Sequence, residues 1–179
     1  IVCWLFIPEP RKNMSALICG SLAFDTIMSF EGRFAEQIMP EQLHILNVSF
    51  LVPTLRREFG GCAGNIAYSL TQLGGSALPM ATVGNDGQDY VAHLRKKGIS
   101  TEFIREIAGS YTAQAMIMTD RDNNQITAFH PGAMSHAHAS EIKPRSDIKL
   151  GIISPDGRDA MLLHAAQFKA ASIPFVFDP

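Results

Sequence analysis

Cysteine is scarce in this chain, and neither sign of charge is in clear excess. The three cysteines, Cys3, Cys19 and Cys62, show no C-x-x-C spacing, so reduced thiols in a cytoplasmic protein are the simplest interpretation. The 15 basic and 17 acidic residues give a net charge of -2. Without a basic excess, neither nucleic acid nor an anionic membrane is an expected partner.

The sequence also lacks a hydrophobic run that is long enough to cross a bilayer. The apolar stretch 1–7 is far too short, and no basic segment precedes it, which argues against a signal peptide. A polar linker over 8–13 separates this stretch from Met14, where a well-patterned strand begins. We therefore predict that residues 1–13 are a non-native or disordered extension and that the native chain starts at Met14.

The rest of the chain suits one globular domain of the α/β class. Its 179 residues are 46% hydrophobic, which is enough for a core of its own. Short buried-strand patterns alternate with helical patterns, and this order predicts a largely parallel sheet built from βαβ units. The strands predicted for this sheet cover 16–20, 77–84, 148–154 and 173–179.

A glycine-rich turn that leads directly into a helix is the most informative stretch. Gly60, Gly61 and Gly64 allow positive φ and let a ligand approach the backbone closely. The first N–H groups of the helix and the Asn65 amide can donate to a polar ligand. The alternative interpretation, a junction whose glycines serve only packing, is about as well supported as a ligand-binding turn. The turn is neither a Walker A loop nor a G-x-G-x-x-G fingerprint, which disfavours a small Rossmann-type cofactor protein.

Two further side chains are candidates for ligand contact. Asp25 follows the first buried strand, where ligands of open α/β sheets bind, and a carboxylate can accept from both hydroxyls of a vicinal diol. A turn or capping role is about as well supported. Phe129 ends a predicted hairpin over 112–129 and could stack on a flat base, although a core aromatic is the more economical interpretation of this residue alone.

Between the first strand and the glycine-rich turn, the sequence predicts a flap of strands. Apolar residues alternate over 45–52 with strand period, and an apolar flap of this kind would cover a ligand or pair with another subunit. His130, His136 and His138 lie close together in sequence, but their spacing is not that of a tetrahedral site and no cysteine accompanies them. We place them in a solvated loop.

Together these motifs resemble the ribokinase-like (PfkB) family of sugar and nucleoside kinases, from about Met14 to Pro179. The segments that carry the resemblance are Gly20-Ser21-Leu22-Ala23-Phe24-Asp25, the flap, Gly60-Gly61-Cys62-Ala63-Gly64-Asn65-Ile66-Ala67 with Leu73-Gly74-Gly75, Thr82-Val83-Gly84-Asn85-Asp86, and Phe129-His130-Pro131-Gly132-Ala133-Met134. Sugar kinases of the family usually carry Gly-Gly-Lys-Gly at the turn, whereas this chain has Cys62-Ala63, as nucleoside kinases do. Within the family the chain is most similar to bacterial adenosine kinases.

The resemblance implies a ribokinase-like fold with a small β-strand lid within about residues 22–59. It also implies that the whole enzyme uses ATP and Mg²⁺ to phosphorylate the 5′-hydroxyl of adenosine or a related nucleoside, in purine salvage. Asp25 would hold the ribose diol, and Phe129 would stack on the purine. The lid would build a homodimer. The residues assigned in this way to substrate binding are Ser21, Asp25, Gly60, Gly61, Asn65, Phe129 and, reaching a partner subunit's site, Ser49.

The resemblance further implies a second half that carries a Gly-Ala-Gly-Asp-type motif and most of the ATP site. Its aspartate, the general base, is expected beyond Pro179, so residues 14–179 would be the N-terminal part of the kinase domain and inactive alone. Neither a catalytic residue nor a metal ligand is expected in this chain. Two alternatives remain: a family kinase for a sugar such as ribose or fructose, or a truncated, non-catalytic module that binds a ligand or dimerises.

Overall fold

The computed structural model describes residues 14–179, and the predicted extension over 1–13 lies outside them. Nine strands form two sheets. They are β1 (Ser15–Cys19), β2 (Ala23–Ser29), β3 (Thr54–Gly60), β4 (Ser76–Val83), β5 (Ile104–Glu106), β6 (Ala113–Thr119), β7 (Gln125–His130), β8 (Ile148–Ile153) and β9 (Phe175–Phe177). The main sheet has the order β5-β4-β1-β8-β9, and all of its neighbouring strands are parallel. The predicted parallel sheet is therefore confirmed.

Helices cover both faces of the main sheet. They are α2 (Cys62–Gln72), α3 (Gln88–Lys96) and α4 (Arg158–Ala170), whereas the short helix α1 (Phe34–Gln37) lies in the connection between β2 and β3. Side chains of β1 alternate between two cores: Ala16 and Ile18 pack in the cluster under α2 and α3, whereas Leu17 and Cys19 pack in the cluster under α4. A strand that is buried on both faces has apolar residues at consecutive positions of the sequence. This is why β1 could be predicted clearly.

The second sheet, which we call the lid sheet, has the order β3-β2-β6-β7. Its outer pairs are antiparallel, while β2 and β6 at its centre are parallel. Only β2 and β3 come from the region in which the sequence predicts the lid. The other half is the predicted hairpin, and its pairing with β2 is a long-range contact that no local pattern reveals.

The predicted strand over 45–52 is wrong. The chain there consists of a 3₁₀ helix over Pro40–Ile45 and an irregular segment that runs to β3. Phe50 anchors this segment, because its ring packs edge-on against Phe30 and Phe34, with centroid distances of 5.0 and 5.2 Å. Pro53 has no N–H to offer a neighbouring strand. The apolar alternation thus does not reflect strand pairing, since Phe50 packs in an aromatic cluster while Ile45 and Leu51 are exposed.

Asp120 ties this aromatic cluster to the tip of the hairpin. Its carboxylate accepts hydrogen bonds from the backbone N–H groups of Phe34, Asp122 and Asn124 at 2.8–3.0 Å, and from the Asn124 side-chain amide at 3.0 Å. One buried carboxylate therefore holds α1 against the lid sheet. None of the helices in the described part of the chain has the length and apolar character that crossing a bilayer needs.

Candidate functional site

Four side chains form a row across one face of the lid sheet. Strand register pairs Asp25 with Glu58 on β3 and with Ala115 on β6, and it pairs Ala115 with Phe129 on β7. Residues that are paired across a sheet point to the same side. We call this side, defined by Glu58, Asp25, Ala115 and Phe129, the Asp25 face.

The Asp25 face points away from the main core. Phe24, the neighbour of Asp25, is only 2% exposed and packs against Tyr90 and Phe59, with ring centroids 5.7 and 5.9 Å apart. Because successive strand residues alternate sides, Asp25 lies on the outer side. Phe129 is 52% exposed, so the interpretation of this ring as a core aromatic is wrong.

Ala115 separates the carboxylate from the aromatic ring. Asp25 and Phe129 lie two strand spacings apart, which is about 10 Å, and the intervening side chain is only a methyl group. A ligand that carries hydroxyl groups at one end and a flat ring at the other can lie along this row. The sequence selected Asp25 and Phe129 separately, and the β2–β6 pairing brings them together.

The Asp25 carboxylate is partly desolvated. Burial raises its pKa above the ordinary carboxyl value, and no hydrogen bond or neighbouring charge from the described residues offsets this effect. An ionised carboxylate in such surroundings gains strongly from donors that a ligand brings. Vicinal hydroxyl groups are donors of the right kind.

Gly60 and Gly61 shape the backbone beside this carboxylate. A Cβ atom on Gly60 would lie 2.2 Å from Asp25 Oδ2, so the absence of a side chain leaves room for the carboxylate. Gly61 has φ of +88°, and a Cβ atom there would lie 2.6 Å from the carbonyl oxygen of Ser21. Gly60 is required by the close approach of Asp25, and Gly61 by its positive φ. Neither glycine therefore serves only general packing.

Ser21 is built into the start of α2. It is 8% exposed, its Oγ accepts a hydrogen bond from the N–H of Cys62 at 3.1 Å, and its carbonyl oxygen accepts from the N–H of Ala63 at 3.0 Å. The expectation that the first helical N–H groups are open to a ligand is therefore wrong for these two. Contact between Ser21 and a nucleoside stays a prediction.

The remaining predicted site residues differ in their surroundings. Asn65 is exposed in the first turn of α2 and lines a cavity of about 240 Å³ beside Glu58 and Phe59. Ser49 is exposed in the irregular segment before β3, not on a lid strand as predicted. The structure thus brings together Asp25, Gly60, Gly61 and Phe129, whereas Ser49 belongs to a different part of the lid.

The three histidines are exposed, but the prediction that they lie in a loop is wrong, because His130 is the last residue of β7. His136 and His138 lie on a 3₁₀ helix over Gly132–Ala139, with ring centroids 6.3 Å apart. Within residues 14–179, no group of three or more His, Cys, Asp or Glu side chains could hold a metal ion.

Asp156 is an unusual carboxyl group that sequence patterns did not select. It follows β8, and its Oδ1 accepts a hydrogen bond from the N–H of Gly157 at 2.8 Å. Its Oδ2 is buried without a partner among the described residues. Burial raises its pKa to about 7, although the Gly157 hydrogen bond acts in the opposite direction. No sequence signal distinguishes this position from an ordinary turn.

Comparison with known proteins decides the family. The model of the pfkB family carbohydrate kinases matches residues 33–173. This chain belongs to that family. The resemblance noted in the sequence is thereby confirmed, and so is the ribokinase-like fold that it implied.

Nucleoside kinases are among the similar proteins. The chain is 32% identical over 127 residues to a nucleoside kinase of Methanocaldococcus jannaschii, which covers 69% of this chain and 39% of that protein. A structure of Burkholderia thailandensis nucleoside kinase in complex with inosine is 54% identical, with a TM-score of 0.79 over 92% of this chain and 52% of the other. The same enzyme in complex with ADP-inosine is 56% identical, with a TM-score of 0.73 over 92% and 52% of the two chains.

The present chain is therefore shorter than these proteins. It spans about half the length of the solved nucleoside kinase and about two fifths of the curated relative.

Proposed function

We propose that the whole protein is an ATP-dependent nucleoside kinase and that this chain supplies its nucleoside-binding half. One observation carries the proposal: the Asp25 face places an exposed aromatic ring and a carboxylate, which has no partner among residues 14–179, in one row separated by Ala115. In this proposal Asp25 accepts hydrogen bonds from the two ribose hydroxyl groups. Phe129 stacks on the base.

The reaction that we propose joins the nucleoside O5′ to the γ-phosphorus of ATP. The bond between that phosphorus and the β–γ bridging oxygen breaks, ADP leaves, and the proton of the 5′-hydroxyl passes to the general base expected beyond Pro179. Phosphoryl transfer depends mainly on positioning and on stabilisation of charge. Residues 14–179 contribute the positioning of the nucleoside.

The ATP site is assigned to the rest of the protein. No cluster of metal-ligating side chains in the described residues fits the Mg²⁺ that accompanies ATP, so no step of the transfer is attributed to them. We accordingly expect this chain alone to bind a nucleoside without phosphorylating it.

A purine nucleoside is the substrate class that we propose, with adenosine and inosine as the candidates. Cys62-Ala63 stands where family sugar kinases usually carry Lys-Gly, and the exposed Phe129 ring offers a large flat surface for a base. The solved relative that is 54% identical binds inosine. The resemblance to bacterial adenosine kinases supports adenosine and a role in purine salvage.

We also propose that the lid builds a homodimer. Ile45, Leu51 and Leu55 in and beside the lid sheet are 66%, 87% and 65% exposed, and apolar side chains clustered on a surface mark contacts between proteins. Ser49 lies in the same segment and is the residue that we expect to reach the partner subunit's site.

A panel of ligands tests the proposed substrate. We expect adenosine or inosine to bind in isothermal titration, and 2′,3′-dideoxyinosine to bind at least about tenfold more weakly, because it lacks both hydroxyl partners of Asp25. Phe129→Leu should weaken nucleoside binding, because the leucine side chain has no ring to stack on a base. Ribose or fructose binding more tightly than every nucleoside would instead identify a sugar kinase.

A further inference from the structure

We propose that Tyr90 is a positioning residue for nucleoside binding, because its hydroxyl group fixes the Gly60–Gly61 peptide beside Asp25. The importance of this role for substrate binding rests on the proposed function. The geometry of the peptide is a separate claim that can be measured without a substrate.

Tyr90 reaches from α3 to the last residue of β3. Its Oη donates a hydrogen bond to the carbonyl oxygen of Gly60 at 2.6 Å, and the whole residue is only 2% exposed. The ring packs against Phe59 and Phe24, with centroid distances of 4.9 and 5.7 Å. The hydroxyl group is therefore held in place by a packed aromatic cluster.

This hydrogen bond determines where the next N–H group points. The peptide between Gly60 and Gly61 is trans, so its C=O and N–H bonds point in opposite directions. The C=O points toward Tyr90, which packs with Phe24 on the inner side of β2. Asp25 lies on the outer side, against Gly60. The Gly61 N–H is thus directed toward the side on which the Asp25 carboxylate lies.

The hydroxyl group also lies against the first turn of α2. A Cβ atom on Gly64 would lie 2.1 Å from Tyr90 Oη, so the hydroxyl fills the space that a side chain would need. Burial, together with the charge of Asp25, raises the pKa of Tyr90 well above its ordinary value. Tyr90 consequently remains a hydrogen-bond donor throughout the neutral range, and it holds β3, α2 and α3 in one arrangement.

The test replaces Tyr90 by phenylalanine, which keeps the ring and removes the hydroxyl group. We expect Tyr90→Phe to bind inosine and adenosine about five- to tenfold more weakly, because a reoriented Gly61 N–H would lose one hydrogen bond to the ligand. The residual dipolar coupling of the Gly61 N–H bond, which reports its orientation, should change.

Two control variants separate positioning from general destabilisation. Thr82→Val removes another buried bond from a hydroxyl group to a carbonyl oxygen, the one that joins Thr82 to Ala133 at 2.7 Å. It should lower the melting temperature by a similar amount while leaving the Gly61 coupling unchanged. Tyr68→Phe removes a hydroxyl group from a residue of the 240 Å³ cavity that Tyr90 also lines, and it should leave the coupling unchanged.

Each outcome decides a distinct claim. An unchanged Gly61 coupling in Tyr90→Phe overturns the positioning role, whatever the affinities are. A changed coupling with nucleoside affinity within twofold of the Thr82→Val variant overturns its importance for binding. If the wild-type protein binds no nucleoside, the proposed function fails, and the Gly61 coupling still decides whether Tyr90 orients the peptide.

Discussion

Replacing Gly60 by alanine tests whether the Asp25 carboxylate must lie where the structure puts it. The new Cβ atom would lie 2.2 Å from Asp25 Oδ2 and 2.6 Å from its Cγ. Non-bonded carbon atoms have their optimal separation at about 3.5–4.0 Å, so the carboxylate has to move by roughly 1 Å or more. The obstacle is the end of a flexible side chain, so rotation of Asp25 relieves the clash without unfolding the turn.

We therefore expect a large loss of binding with a small loss of stability. Hydrogen bonds to a charged group each contribute about 1.5–3 kcal/mol, so even one lost bond weakens nucleoside binding by at least about tenfold. The melting temperature should fall by no more than a few degrees, because no backbone atom of a neighbouring strand is displaced.

Gly75→Ala is the matched control for this prediction. Its Cβ atom would lie 2.4 Å from Leu70 Cδ1, again the end of a flexible side chain, but at the C-terminal end of α2. Isothermal titration with inosine and thermal melting of both variants complete the comparison. If Gly60→Ala bound the nucleoside as tightly as Gly75→Ala does, the role of Asp25 in binding would be refuted.

Three further predictions concern stability. Gly61→Ala should destabilise the fold by at least about 1–3 kcal/mol in chemical denaturation, because φ is +88° and a left-handed conformation is unfavourable for alanine. The pKa of Asp156 is raised to about 7. The neutral carboxyl group therefore contributes fully to the stability of the fold below about pH 4, and this contribution is lost as the pH rises through 7. Asp156→Asn should therefore be more stable than the wild type at pH 8, by on the order of 4 kcal/mol for a shift from 3.8 to about 7, and an equal or lower stability there would contradict this expectation. Asp120→Ala should lower the melting temperature by several degrees, because it leaves the backbone N–H groups of Phe34 and Asn124 without their acceptor.

Local patterns were sufficient to predict four of the five strands of the main sheet, but not β5, a three-residue strand at its edge. β1 and β4 are continuous apolar runs, and α2 begins directly after its glycine turn, so the residues that determine each element are neighbours in sequence. The lid could not be predicted in the same way. Its central pairing of β2 with β6 joins residues about ninety positions apart, and its connection over 30–53 is organised by aromatic packing rather than by strand period.

The residues of the site also differ in whether local sequence could predict them. The glycines were predictable because turn chemistry is local, and Asp25 because it belongs to a local motif. The alternative turn or capping role of Asp25 is wrong, because this residue lies within β2. The row that joins Asp25 to Phe129 through Ala115 depends on register between distant strands, and Ala115 has no distinguishing sequence feature. Tyr90 was predictable as a buried residue of α3, but its hydrogen bond to Gly60 arises only when α3 packs against β3.

The most direct test of the proposed nucleoside site is titration of adenosine into the purified chain and its Asp25→Asn variant. Burial raises the pKa of Asp25, so its ionised form is disfavoured in the folded protein and the variant should be at least as stable as the wild type at neutral pH. We predict measurable binding to the wild type and binding at least about tenfold weaker to the variant. Equal affinities in the two folded proteins would contradict this prediction.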